Sequence, residues 1–307
     1  MRVNQILQGN TLDILKTIDS NIIDVCVTSP PYNKKEKNKG WLVKNVLYNA
    51  ISDAKNEEEY QNEQVEILNE IFRITKPGGS FFYNHKVRWE KGEMIHPISW
   101  LSKSDWTMRQ EIIWDRMIAA NIRGWRFWQV DERIYWLHKP AGNKIGEELA
   151  SRHALLTSIW RFPPERCVNH PAPFPMILPA RAIFSVLDGK RGVVLDPYSG
   201  SGSTLVAAKL LGCDYLGIEI SEDYNSMAEE RIKNCENERA TLLEELGKHF
   251  VSKTFKERKK NGENTGKFKQ DKILGEKLSQ TQTDLLATLK FMSSGKNLSK
   301  QIDKIVL

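Results

Sequence analysis

Cysteine is scarce in this chain, and long apolar runs are missing. The four cysteines, Cys26, Cys167, Cys213 and Cys235, stand far apart in 307 residues, which favours neither a disulfide framework nor a zinc site and fits a reducing cytoplasm. No apolar run approaches the roughly 18 residues needed to span a bilayer, and the N-terminus has no secretory pattern. The six histidines show no metal-ligand spacing. We therefore expect a soluble, metal-free protein.

Acidic residues nearly balance basic ones except near the C-terminal end. Residues 251–307 hold 13 of the 45 Lys and Arg residues but only 6 of the 39 Asp and Glu residues. A basic segment on a neutral body is compatible with a polyanionic partner, because Lys and Arg release counterions from phosphates. A solvated, lysine-rich surface is the simpler interpretation of composition alone.

Length and composition predict a catalytic domain with an appendage. The catalytic domain is predicted at residues 1–250, followed by a basic linker at 251–272 and a helical appendage at 273–307. Within the domain, a β-branched run at 22–27 stops at two prolines, which predicts a buried strand that ends at a sheet edge. Ligands bind at that edge in open α/β sheets.

The remaining pattern alternates helices and strands, as in a parallel sheet. A helix at 58–74, a Pro-Gly-Gly turn and a strand at 80–83 predict one crossover unit. We also predict strands at 111–114, 133–137, 192–195 and 215–220, helices at 179–187 and 203–211, and one long helix from 222 to about 248.

A glycine-rich turn follows the strand predicted at 192–195. It reads Asp196-Pro197-Tyr198-Ser199-Gly200-Ser201-Gly202-Ser203-Thr204 and opens a helix. Backbone amides and a helix N-terminus face a ligand at such a turn, and glycine lets the ligand come close. Glu219 ends the next strand, roughly 20 residues on, where an acidic side chain meets ribose in nucleoside-binding folds. Alone, the turn is equally compatible with a tight strand-to-helix connection.

The segment Thr28-Ser29-Pro30-Pro31-Tyr32-Asn33 stands where the first predicted strand leaves the sheet. A serine hydroxyl and the carbonyl between two prolines accept both hydrogens of an exocyclic amino group, which steers its lone pair toward an electrophilic methyl. Tyr32 offers a ring on which an extruded base can stack. Alone, this segment is also compatible with a structural proline turn.

Together, the two segments resemble the DNA amino-methyltransferases of the beta arrangement, in which a Ser/Asp-Pro-Pro-Tyr motif precedes the S-adenosylmethionine motif. The resemblance covers about residues 7–235, and the pair of motifs is specific where each alone is not. It implies S-adenosylmethionine as cofactor. It also implies an α/β fold with a Rossmann-like, doubly wound, mostly parallel sheet, circularly permuted, with an antiparallel hairpin near its edge.

The resemblance implies roles for individual residues. Ser29, Pro30, Pro31 and Tyr32 form the catalytic set. The cofactor-binding set is Asn10, Thr28, His170, Phe174, Asp196, Pro197, Tyr198, Ser199, Gly200, Gly202, Ser203, Thr204, Glu219 and Ile220. Asn10 stands where the family has aspartate, and Tyr198 where it has phenylalanine. Asn33 is common in adenine-modifying members and Ser29 in cytosine-modifying members, so both bases stay open, with a slight lean to cytosine N4.

An Arg- and Trp-rich segment at 116–130 and an irregular segment at 141–169 are the candidates for target recognition. Arginine reads guanine in the major groove, and cations on phosphates set the register. The predicted DNA contacts are Asn33, Lys34, Arg116, Arg123, Arg126, Arg152, Arg161 and Arg166. The aromatic residues between them fit a hydrophobic core equally well. Asp115 and Glu132 flank the first segment and are interpreted as structural or DNA-positioning residues.

Cys26 is the one cysteine beside the proline motif. It lies inside an apolar strand, and the chain has no Pro-Cys pair, so we interpret it as a structural residue rather than the nucleophile of carbon-5 cytosine methylation.

The sequence therefore predicts a site-specific DNA methyltransferase that acts on a flipped base of double-stranded DNA in a restriction-modification system. We expect a cytoplasmic, nucleoid-associated enzyme with a cognate restriction endonuclease, and a homodimer is a further expectation. RNA or protein-glutamine methylation on the same fold, and a non-catalytic DNA-binding regulator, are the alternatives.

Overall fold

A computed structural model describes residues 2–33, 54–119, 122–141, 157–165, 175–248 and 255–262. Within them, a short antiparallel hairpin, β4 (Arg88–Glu90) with β5 (Glu93–Ile95), stands apart from the main sheet. The main sheet holds β1 (Gln5–Gln8), β2 (Ile23–Thr28), β3 (Thr75–His85), β6 (Thr107–Asp115), β7 (Asp131–His138), β8 (Ile159–Arg161), β9 (Val193–Asp196) and β10 (Asp214–Glu219).

The helices connect these strands. They are α1 (Thr11–Thr17), α2 (Glu57–Ile74), α3 (Ile98–Leu101), α4 (Ile177–Leu187), α5 (Ser203–Leu210), α6 (Glu222–Lys233), α7 (Arg239–Gly247) and α8 (Phe255–Lys260). Asn10 and Asn56 begin α1 and α2 as N-caps, since each side-chain oxygen accepts a backbone N–H of the first turn. Across the described residues, we find no helix of the length and apolarity that a membrane span requires.

The strand order in the main sheet is β1-β10-β9-β2-β3-β7-β6-β8. The first five strands are parallel to one another, and β7 runs antiparallel to both of its neighbours. The predicted α/β fold, with a mostly parallel sheet and an antiparallel hairpin toward its edge, is confirmed. Circular permutation, which we inferred from motif order, stays a prediction.

Both faces of the sheet are covered, which is why its central strands are apolar throughout. In β2, Val25 and Val27 point into one core cluster, while Ile23 and Cys26 point into the other. The first cluster includes side chains of α4, α5 and α7, and the second includes side chains of α1, α2 and α3. The sheet is therefore doubly wound.

Several sequence predictions need correction. The helix predicted from 222 to 248 is two helices, because Asn234 leaves helical geometry and a 3₁₀ turn, Cys235–Glu238, intervenes. The Pro-Gly-Gly segment is a bulge inside β3 rather than a turn before it, since Ile23 pairs with Thr75 and Val25 already pairs with Ser80. The predicted irregular segment contains β8, and α8 lies within the predicted linker.

Candidate active site

Two neighbouring strands bring the predicted catalytic and cofactor segments together. β2 ends at Thr28 and β9 ends at Asp196, and the two strands are paired in parallel, so both ends lie at the same edge of the sheet. The Thr28 hydroxyl donates a 2.6 Å hydrogen bond to Oδ1 of Asp196, and both side chains are buried. The first residue of one motif is thus bonded to the first residue of the other.

The carboxylate of Asp196 organises the turn that follows it. Oδ1 also accepts the backbone N–H of Tyr198 at 3.1 Å. Burial raises the pKa of Asp196 to about 6, although the hydrogen bonds from the Thr28 hydroxyl and the Tyr198 amide favour its charged form. Within the described residues, Oδ2 has no hydrogen-bond partner. A buried acceptor with spare capacity beside this turn fits a cofactor that donates hydrogen bonds.

Glu219, at the end of β10, closes the turn from the other side. Its two carboxylate oxygens accept the N–H groups of Gly200 and Ser221, each at 2.9 Å. Burial raises the pKa of Glu219, and these backbone hydrogen bonds oppose the rise. Each oxygen keeps a lone pair beyond its backbone partner. The residue is therefore equipped to accept the hydroxyl groups of a ribose.

Gly202 makes the close approach of two helices feasible at this turn. Its φ is 82°, in the left-handed region, and it caps α5. A Cβ at this position would lie 3.0 Å from the Cβ of Ala228 on α6. Both the backbone conformation and the space therefore favour glycine.

The predicted cofactor residues within the described part of the chain converge on this region. Asn10 has its side-chain oxygen engaged with the amides of Leu12 and Asp13, so it acts as a helix cap. The ends of β2, β9 and β10 and the start of α5 place Thr28, Asp196, Pro197, Tyr198, Ser199, Gly200, Gly202, Ser203, Thr204, Glu219 and Ile220 together. His170 and Phe174 lie outside the described residues.

Ser29 and Tyr32 belong to a buried polar network. Their side-chain oxygens are 2.6 Å apart. Tyr32 Oη donates to Oε2 of Glu132 at 3.0 Å and accepts from Nδ2 of Asn84 at 2.8 Å. The Asn84 amide also donates to Glu132 Oε2 at 3.0 Å, and Arg116 Nη1 pairs with Glu132 Oε1 at 2.7 Å. The network ties the proline segment to β3 and β7.

The side chains of Tyr60 and His85 also contact the proline segment. Tyr60 Oη donates to the carbonyl of Pro31 at 2.8 Å and lies 2.9 Å from Nε2 of His85. The His85 ring packs against the Tyr32 ring, with 4.4 Å between centroids. Tyr32 is only 6% exposed. The tyrosine of the predicted catalytic set is thus fixed by hydrogen bonds and ring packing.

Sequence reasoning missed most of this network. Asn84 and His85 directly follow the apolar run Phe81-Phe82-Tyr83, and Glu132 stands at the start of β7. Polar residues at strand ends are a usable signal, because the carboxyl ends of parallel strands form the ligand edge. Glu132, interpreted above as structural or DNA-positioning, accepts a hydrogen bond from Tyr32 of the predicted catalytic set.

Two predicted DNA contacts have their side chains bonded to other residues of the protein. The Asn33 amide is buried and bonds the backbone of Lys55 on both sides, and Arg116 is held by Glu132. Arg161 is exposed and paired with Asp115 at 2.8 Å. Lys34, Arg152 and Arg166 lie outside the described residues.

The loop between β6 and β7 leaves the same sheet edge as Thr28 and Asp196, because β6 runs in the direction of β3. The Arg126 guanidinium lies 4.0 Å above the Trp89 ring. The aromatic side chains of this loop are not core residues, since Trp125, Phe127 and Trp128 are 57%, 97% and 63% exposed. The loop therefore presents an aromatic and cationic surface beside the site.

Cys26 is fully buried, and burial, with the nearby charge of Asp196, raises the pKa of its thiol well above the usual value. A thiol in this setting is a poor nucleophile. Its interpretation as a structural residue agrees with this placement.

A doubly wound sheet that carries an amino-accepting segment beside a glycine-rich cofactor turn defines the class of S-adenosylmethionine-dependent amino-methyltransferases. The family profile for DNA methylases of the N6 and N4 type matches residues 23–230, and the chain belongs to this family. The predicted family, and with it DNA amino-methylation, is confirmed.

Individual relatives agree with this placement. The type II methyltransferase M.ScaI of Streptomyces caespitosus is 29% identical over 259 residues, which cover 73% of this chain and 80% of that protein. M.HinfI of Haemophilus influenzae is 28% identical over 257 residues, which cover 75% of this chain and 68% of that protein. The structure of the Thermus thermophilus protein TTHA0409 in complex with S-adenosyl-L-methionine superposes with a TM-score of 0.57 at 25% identity, covering 76% and 94%.

Proposed function

We propose that the protein methylates double-stranded DNA at a specific sequence, on the exocyclic amino nitrogen of a base flipped out of the helix. The observation that carries this proposal is the 2.6 Å hydrogen bond between Thr28 and Asp196. It holds the amino-accepting segment against the cofactor turn, so that donor and acceptor of the methyl group are bound side by side. S-adenosylmethionine supplies an electrophilic methyl group on a sulfonium.

The residues divide into two sets. The Ser29 hydroxyl and the Pro30 carbonyl accept the two hydrogens of the target amine, and Tyr32 stacks on the base. The carboxylates of Asp196 and Glu219 bind donors on the cofactor, and the amides of the glycine-rich turn approach it closely. The acceptors of the first set stabilise the positive charge that develops on the nitrogen during transfer.

We favour cytosine N4 over adenine N6, because serine rather than aspartate stands before Pro-Pro-Tyr. The type II relatives support a role as the modification enzyme of a restriction-modification system with a cognate endonuclease. A chromosomal DNA substrate places such an enzyme in the cytoplasm, at the nucleoid.

The test is a methyl-transfer assay with identification of the product. Purified protein is incubated with methyl-labelled S-adenosylmethionine and genomic DNA that lacks methylation, and the DNA is digested to nucleosides. Mass spectrometry is expected to find the label in N4-methylcytosine. Label in N6-methyladenine would support a DNA amino-methyltransferase but would contradict cytosine as the target base.

Two controls separate other outcomes. Parallel reactions with RNA and with protein extract report the alternative substrates. Calorimetry with unlabelled cofactor reports binding without DNA. Bound cofactor with no labelled nucleoside from DNA would refute the proposed function.

A further inference from the structure

A buried carboxylate ends the hydrogen-bonded chain that begins at the amino-accepting serine. The chain runs from Ser29 Oγ to Tyr32 Oη over 2.6 Å, and from Tyr32 Oη to Glu132 Oε2 over 3.0 Å. Tyr32 and Glu132 are each 6% exposed. The path from Tyr32 to Glu132 is therefore screened from bulk water.

The donors and acceptors available on each group fix the direction of the hydrogen bonds that link Ser29, Tyr32 and Glu132. An ionised carboxylate only accepts, so the single hydroxyl hydrogen of Tyr32 points to Glu132. The Tyr32 oxygen then accepts from Asn84 at 2.8 Å and from Ser29. The Ser29 hydroxyl hydrogen is thereby committed to Tyr32. Ser29 Oγ also accepts from Asn84 Nδ2 at 3.3 Å, which leaves it one lone pair with which to accept an amine hydrogen. The orientation needed to accept an amine hydrogen is set by Glu132, two hydrogen bonds away.

The charges around Glu132 keep it ionised. Burial opposes its charge, but the positive charges of Arg116 and Lys86 and the hydrogen bonds from Asn84 and Tyr32 outweigh burial and hold the pKa of Glu132 below its usual value. Arg116 follows β6, Asn84 and Lys86 stand at the end of β3, and Tyr32 follows β2. Each of these four side chains thus donates a hydrogen bond or carries positive charge.

We propose that Glu132 is the final acceptor of the proton that the target amine loses, and that Ser29 and Tyr32 carry that proton. The proposal rests on the proposed function. As the nitrogen–methyl bond forms and the sulfur–methyl bond breaks, the nitrogen becomes cationic and strongly acidic. It passes one hydrogen to Ser29 Oγ, Ser29 passes its own to Tyr32 Oη, and Tyr32 passes its own to Glu132 Oε2. The products are a neutral methylamino group and a protonated Glu132.

Glu132 acts through Tyr32, so it is a positioning residue and proton acceptor rather than a residue that contacts the base. Its carboxylate also stabilises the transition state before proton transfer, because the developing positive charge lies at the other end of the same chain. General-base assistance of this kind contributes about 10²- to 10⁴-fold to a rate.

The test uses Glu132→Gln, which keeps the shape and the oxygen acceptor but removes the charge. We expect the single-turnover rate of methyl transfer to fall about 10²-fold or more, with cofactor and DNA dissociation constants within about twofold of wild type. We expect the wild-type rate to fall as the pH drops toward the pKa of Glu132, and we expect this acid limb to be absent from the variant. Glu93→Gln, on the exposed hairpin, is the matched control and keeps the wild-type rate and pH profile.

Tyr32→Phe breaks the chain while leaving the pair between Glu132 and Arg116 intact. It is expected to slow transfer to a similar degree, and the double variant is expected to be no slower than the worse single one, because both lesions interrupt one path. If Glu132→Gln does not fold, Tyr32→Phe tests the relay by itself.

A wild-type rate in Tyr32→Phe, or an unchanged acid limb in a folded Glu132→Gln, would overturn the relay. Additive losses in the double variant would also overturn it, because they indicate independent structural roles. Absence of methyl transfer by the wild-type protein is a separate result, which refutes the proposed function itself.

Discussion

The Asp196 carboxylate accepts hydrogen bonds from Thr28 and from the Tyr198 amide, one in each predicted segment. Burial of its charge opposes folding. Its pKa is about 6 in the folded protein against an ordinary value of 3.8. The folded state therefore binds a proton more tightly than the unfolded chain. This residue destabilises the unliganded fold increasingly as the pH rises from about 4 to above 6.

Asp196→Asn is expected to stabilise the unliganded protein at pH 8 by up to about 3 kcal/mol, since one pKa unit corresponds to about 1.4 kcal/mol. The amide keeps an acceptor for Thr28 and Tyr198. Urea unfolding at pH 8 and pH 5 checks this, with the exposed Asp105→Asn as control. A gain that is the same at both pH values would contradict the assigned cause.

In the proposed mechanism Ser29 supplies one of two acceptors for the target amine, so Ser29→Ala removes an interaction that strengthens during transfer. We expect kcat to fall about 10²-fold while the dissociation constant of S-adenosylmethionine stays unchanged. Ser102→Ala, at the exposed end of α3, is the matched control. An equal loss in cofactor affinity would instead indicate that the whole edge of the sheet had shifted.

At the scale of elements, the junction of α5 and α6 depends on Gly202. Gly202→Ala incurs both a left-handed backbone and a 3.0 Å contact with Ala228. We expect a loss of about 2–4 kcal/mol in unfolding free energy and weaker cofactor binding. Gly92→Ala has a φ of 88° but no atom within 4 Å of the added Cβ, so it isolates the backbone contribution. Equal losses in the two variants would show that the contact with α6 is unimportant.

Helices α4 and α7 are joined by a buried ion pair. Arg181 Nε lies 2.5 Å from Oε1 of Glu245, and both side chains are less than one tenth exposed. Arg181→Ala removes the near cation and leaves the buried carboxylate with only the Lys248 ammonium, 3.8 Å from Oε2, so we expect a loss of about 3 kcal/mol in unfolding free energy. Arg239→Ala breaks the more exposed pair with Glu236 and is expected to lose under about 1 kcal/mol. Thermal or chemical unfolding of both variants decides the ranking.

At the scale of the whole molecule, the ligand edge of the sheet carries the cationic and aromatic loop between β6 and β7. Cations on phosphates each add about 0.9 to the slope of log affinity against log salt. Changing Arg123 and Arg126 together to Gln is expected to weaken DNA binding and to reduce that slope by up to about 2.

The control for this prediction is Arg191→Gln. Arg191 precedes β9 and therefore lies at the opposite edge of the parallel strands, away from the site. Fluorescence anisotropy over a salt series measures both slopes. A reduced salt slope in Arg191→Gln, with an unchanged slope in the Arg123 and Arg126 double variant, would place DNA at the opposite edge of the sheet.

The sequence alone was enough to single out two segments by their chemistry and to predict the parallel core of the sheet. Thr28 to Tyr32 and Asp196 to Thr204 are contiguous, so residue types and spacing carry their meaning without a fold. Continuous apolar strands ended by proline or glycine likewise indicate a sheet that is buried on both faces and open at one edge. Local interruptions, such as the break at Asn234, depend on packing and were missed.

The surroundings of these two segments depend on the tertiary structure. Tyr32 and Glu132 are 100 positions apart, and Asn84 lies 48 positions before Glu132. They meet because β7 reverses direction beside β3, which brings the start of one strand to the end of the other. Strand order and direction arise from the burial of both sheet faces together, a property of the whole chain that short patterns do not carry.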